Sequence, residues 1–76
     1  MTEQEWINIF GDNLKDILQD VEMTQKELAD STGLSECSIS RYIHKQMAPS
    51  FKAIVNIAYV LDCDISDLVD FGDKII

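Results

Sequence analysis

Apolar residues recur along the chain at steps of three and four, and no stretch alternates as a strand would. Thr2-Glu3-Gln4-Glu5 places a glutamate three positions after a threonine, the capping box that opens a helix. Ile7, Phe10, Leu14, Ile17, Leu18 and Val21 then share one face. Gly11 sits inside that run, where glycine costs roughly 1 kcal/mol against alanine, and marks the place where a bend or break would fall. A second capping box, Thr24-Gln25-Lys26-Glu27, opens a short helix through Leu28 and Ala29 that Gly33 ends. Ser35 caps a third helix running toward His44. Pro49-Ser50 breaks the chain again, and Phe51, Ile54, Ile57, Ala58 and Leu61 make another apolar stripe. Asp64 caps a brief last helix, Ile65 to Val69, packed through Ile65 and Leu68, and Gly72 stops it within a short tail over 70–76. The expectation is an all-α, compact five-helix domain over residues 1–76.

The segment from Gln25 to Tyr42 carries the functional signal. It reads short helix, glycine turn, short helix, with Ala29, Gly33 and Ile39 in register. Ala29 is small where the next helix crosses close over it, Gly33 makes a turn between helices meeting at roughly 90–120°, and Ile39 drops back into the core. This is a helix-turn-helix, with its motif core at about 24–44. On the third helix, at about 100° per residue, Glu36, Cys37, Ser40, Arg41 and His44 fall on one polar arc roughly 140° wide. Ile39, Tyr42 and Ile43 fall on the opposite side.

Charge complicates this picture. Six Lys+Arg against fourteen Asp+Glu give −8, which argues against polyanions. The imbalance is uneven, however: residues 24–52 carry +1 and the rest carries −9. Only the middle of the chain suits nucleic acid. No apolar run approaches the roughly 20 residues of a membrane span, and the acidic N-terminus is unlike a signal peptide, so a cytoplasmic location without membrane contact is expected. Cys37 and Cys63 lie 26 apart with one histidine in the chain, too few ligands for structural zinc, and both read as free thiols. With no paired nucleophile and base, no glycine-rich phosphate cradle and no metal set, neither an enzyme nor a cofactor or small-molecule ligand is expected.

Thr24-Gln25-x-Glu27-Leu28-Ala29, Gly33-Leu34-Ser35, Ser38-Ile39-Ser40-Arg41-Tyr42, Pro49-Ser50, Ile57-Ala58, Leu61, Ile65 and Leu68 together resemble the phage repressor/Cro family, also called Xre-type helix-turn-helix domains. Phe10-Gly11-x-Asn13-Leu14-Lys15 is similar to that family's first helix, so the resemblance covers about residues 10–70. It implies a five-helix fold that binds operator DNA as a homodimer and represses transcription. It also implies that the third helix, about 35–44, enters the major groove. Residue by residue, Glu36, Cys37 and Arg41 fall where base-reading side chains sit, and Ser40 shares their arc. Gln25 and Ser38 fall at phosphate positions, Lys45 and Gln46 lie in the loop that adds backbone contacts, and Lys26 and His44 border the phosphates. The family commonly has glycine where Lys45 stands, which implies a different loop backbone here, and an acidic residue where Ile43 stands.

Arginine at position 41 suits a bidentate bond to guanine O6 and N7, glutamate at 36 accepts from cytosine N4, and cysteine at 37 offers a thymine methyl an apolar contact. Blander readings stand beside these. On an isolated helix Arg41 would read as an ordinary solvated residue, a reading the motif reverses. Glu36 is equally a helix-dipole residue, Ser35 a cap, His44 and Lys26 surface groups, and Cys63, Tyr42, Trp6 and Phe10 core. Val55, Tyr59 and Val60, with Trp6, Ile9, Ile75 and Ile76, exceed what one stripe needs and point to an apolar patch for self-association, hence an inverted-repeat site. The rival reading is an acidic helix-turn-helix scaffold that binds a protein partner and no DNA.

Overall fold

Thr2 and Thr24 close the two capping boxes that their spacing predicts. Thr2 Oγ1 accepts from the Glu5 amide at 3.2 Å while the Thr2 amide donates to Glu5 Oε1 at 3.4 Å. The Glu27 amide donates to Thr24 Oγ1 at 3.1 Å, and the Thr24 amide donates to Glu27 Oε1 at 3.0 Å. Ser35 and Ser50 cap two further helices by accepting from Ser38 N and Ala53 N. These caps satisfy amides that no helical carbonyl reaches. The structure, a computed structural model, describes residues 2–69. Among these, α1 (Glu3–Asp20), α2 (Gln25–Thr32), α3 (Glu36–Ile43), α4 (Phe51–Leu61) and α5 (Ile65–Leu68) are the helices, and there are no strands. None of the helices is long and apolar enough to cross a membrane. The tail over 70–76, with Gly72, Ile75 and Ile76, lies outside the described residues.

One core joins all five helices. Phe10, Leu14 and Leu18 of α1 meet Leu28 and Ala29, Ile39 and Tyr42, the buried face of α4, and Leu68. Phe10, Leu14, Leu28, Ile39, Ile57 and Leu68 are fully buried, each stabilising the fold by about 1.5–3 kcal/mol. The Phe10 and Tyr42 rings meet edge to face at 5.8 Å, fixing α3 on α1. Two amides tie the rest: Asn13 Nδ2 donates to Leu68 O at 2.9 Å, and Asn56 Nδ2 donates to Thr32 O at 2.7 Å.

The structure corrects several expectations. Helix α1 runs unbroken through Gly11. A Cβ there would lie 2.6 Å from Tyr42 O and 3.2 Å from Ile43 O, so the glycine admits the end of α3 rather than bending α1. Phe51 is not core but 73% exposed, because the first residue of α4 lies beyond the face that turns inward. Val21 is exposed at the α1 C-cap, and Ile65 packs far less fully than Leu68. Cys63, Trp6 and Ile9 are half-buried, while Phe51, Val55 and Tyr59 form an exposed apolar ridge along α4.

Candidate nucleic-acid interface

The turn between α2 and α3 is built from three side-chain choices. Gly33 takes φ +76°, the left-handed region that glycine enters without a Cβ clash, and its amide donates to Ala29 O at 2.9 Å. Thr32 Oγ1 donates to Leu28 O at 2.8 Å and accepts from Leu34 N at 3.2 Å, so one hydroxyl bridges helix and loop. Ser35 then starts α3, and its hydroxyl also donates to Ser38 Oγ at 2.9 Å.

Buried Ile39 and Tyr42 fix the rotation of α3 against α1 and α2. With that rotation set, Glu36, Cys37, Arg41 and His44 are exposed and Ser40 is half-buried on the same arc. The structure thus brings together the four residues expected to read bases. His44 Nδ1 lies 2.8 Å from Ser40 O and 3.2 Å from Ser40 Oγ. A carbonyl only accepts, so this bond uses the Nδ1–H tautomer. Among the phosphate candidates, Gln25, Ser38 and Lys45 are half-buried, and Lys26 and Gln46 are exposed.

The loop after α3 departs from the expectation of an altered backbone. Lys45 has φ +64° and takes the left-handed position itself. Its amide donates to Tyr42 O and the Gln46 amide to Arg41 O, the double bond pattern of a Schellman closure. Glu22 (φ +56°) and Asp62 (φ +54°) end α1 and α4 in the same way. Lys45 Nζ pairs with Asp12 Oδ1 at 2.8 Å. Lys15 of α1, Gln25, His44 and Lys45 line one cleft of about 700 Å³ beside the start of α2. Nothing local in the sequence points to Lys15, because the packing of α1 beside α3 and the start of α2 places it there.

Hydrogen bonds from the Thr24 backbone and hydroxyl hold the Glu27 carboxyl below its ordinary range. Burial raises the Tyr42 phenol, which stays neutral. Burial and the nearby Asp67, Asp64 and Asp62 raise the Cys63 thiol, leaving it a poor nucleophile.

Comparison with known proteins agrees with this geometry. Residues 13–74 match the family described as Cro/C1-type HTH DNA-binding domain. The HTH-type transcriptional regulator YqaE of Bacillus subtilis, itself described as uncharacterized, is 28% identical over 61 residues. That match covers 80% of this chain, which spans about half (53%) of YqaE. In fold, the chain is similar to the restriction-modification controller protein C.AhdI of Aeromonas hydrophila, with a TM-score of 0.78 and 24% identity. That likeness covers 82% of this chain and 94% of the other. With a helix-turn-helix in place and most of its length matched, the chain belongs to the Cro/C1-type helix-turn-helix DNA-binding domains.

Proposed function

We propose that the protein is a sequence-specific, double-stranded DNA-binding transcriptional repressor that acts as a homodimer with α3 in the major groove. One observation carries the reading: Ile39 and Tyr42 are buried while Glu36, Cys37, Ser40 and Arg41 share the outward arc of α3. A helix so held presents its N-terminal side chains to base edges. Arg41 takes guanine, Glu36 accepts from cytosine and repels phosphate at wrong sites, and Cys37 meets a thymine methyl. Gln25, Lys26, Ser38, His44, Lys45 and Gln46 contact or border the sugar-phosphate backbone. YqaE's description as a transcriptional regulator supports the regulatory part.

Homodimer formation is supported by Phe51, Val55 and Tyr59, which stand one turn apart on α4 and are 73%, 40% and 85% exposed. A two-fold contact through this ridge hides apolar surface that a monomer leaves in water. It also pairs two recognition helices on half-sites about 34 Å apart.

Selection of random duplex DNA by the purified protein, at low and at moderate salt, tests the reading. Enrichment of an inverted repeat is expected. No enrichment at either salt would reject DNA reading and favour the acidic surface as a protein-docking scaffold.

A further inference from the structure

An ion pair just past the end of α3 ties one of the candidate phosphate-binding lysines to α1. Lys45 Nζ lies 2.8 Å from Asp12 Oδ1. The lysine stem is laid back over α1: a Cβ on Gly11 would come within 3.2 Å of Lys45 Cγ. Glycine at 11 therefore opens the path by which Lys45 reaches Asp12. The cleft beneath this pair also receives Lys15 from α1 and His44 from the end of α3. Its formal charges are Lys15 and Lys45 against Asp12 and Glu22. Two cations balance two carboxylates, so the cleft has no excess of positive charge, and Lys45 reaches an anion there only by leaving Asp12.

We propose that this cleft seats a DNA phosphate held by Lys15 as well as Lys45, and that Asp12 is a built-in competitor for Lys45 that sets the affinity low. The inference rests on the DNA-binding reading above. The two paired side chains keep 38% and 62% of their exposure, so the pair is wet and weak and a phosphate displaces the carboxylate by a turn of the lysine side chain. Asp12 is then left beside the strand and takes up a cation from solution. That uptake cancels part of the counterion release that drives association.

The test is a salt series of titrations against one fixed duplex with the full chain and its variants, folding being checked by circular dichroism. Asp12→Asn is expected to tighten binding by about two- to fivefold, the worth of an exposed pair. It should also steepen the log–log salt slope by up to about one. Lys15→Ala should weaken binding and make the slope shallower by about one. In a Lys45→Ala background the gain from Asp12→Asn should shrink toward that of Asp20→Asn, an exposed carboxylate on α1 outside the cleft. Equal gains from Asp12→Asn and Asp20→Asn with Lys45 present, or an undiminished gain without Lys45, would overturn the competition. An unchanged slope in Lys15→Ala would overturn the Lys15 contact. If no variant binds duplex even at low salt, the DNA-binding reading itself fails, which is a separate result.

Discussion

Gly11 and Lys45 show two residues whose local preference is overruled by what lies across from them. Helix propensity favours alanine over glycine at position 11 by roughly 1 kcal/mol, yet the Cβ would meet the Tyr42 carbonyl at 2.6 Å. Backbone cannot yield as a side-chain tip does, so Gly11→Ala should destabilise by about 1–3 kcal/mol, read as a fall in melting temperature. Lys45 is the reverse case. Its φ of +64° costs a non-glycine residue roughly 1–2 kcal/mol, and its exposed ion pair returns about 0.2–1 kcal/mol. Lys45→Gly should therefore raise stability by about 1 kcal/mol while weakening duplex binding. The two effects separate in one variant, measured by thermal unfolding and by titration. The sequence shows a glycine at 11 but not the helix end that requires it. It gives no sign that Glu22 and Asp62 take left-handed backbone, because no glycine stands at either, and at Lys45 only the glycine common in the family hints at it.

At the scale of elements the sequence is most legible where the signal is local. Both threonine capping boxes, the Gly33 turn and the Ser35 cap lie within a few residues of one another and are present as read. The polar arc of α3 is legible for the same reason, since 100° per residue fixes which side chains share a face. The α4 stripe is misread at Phe51, and α5 at Ile65, because at a helix end the direction of the neighbouring elements decides burial, not the period. The Glu27 box adds a pH dependence with a definite sign. Its carboxyl titrates lower in the fold than in the unfolded chain, so its stabilisation of α2 is present above the ordinary carboxylate range and is lost as pH falls through the folded value. Glu27→Gln should flatten the acid side of a stability-versus-pH curve and leave the remainder of its shape unchanged. An acid limb identical to that of the parent protein would contradict this.

At the scale of the whole molecule, charge and exposed apolar surface are the quantities that matter. Residues outside 24–52 carry −9 against +1 within, so the α2–α3 part of the candidate interface is the least acidic region of an acidic protein. With Lys15 of α1 beside them, Lys26 and Lys45 are the lysines offered to phosphates, which predicts a salt slope of about 2–3 per protomer at roughly 0.9 per phosphate, Asp12 taking part of it back. Slopes well beyond that would mean contacts elsewhere. Tyr59 is 85% exposed, so Tyr59→Glu should leave folding intact while shifting a dimer to monomer in sedimentation and weakening binding to an inverted repeat. The sequence pattern spreads the apolar excess to Trp6 and Ile9 as well, which the fold half-buries.

If the outward arc of α3 reads bases, Arg41 is the residue whose loss shows it. Binding of Arg41→Ala should be measured against a set of duplexes in which each base pair of the enriched site is changed in turn. Discrimination at one guanine position per half-site should fall by about 1–3 kcal/mol, with preference at other positions kept. Undiminished preference at every position would contradict it.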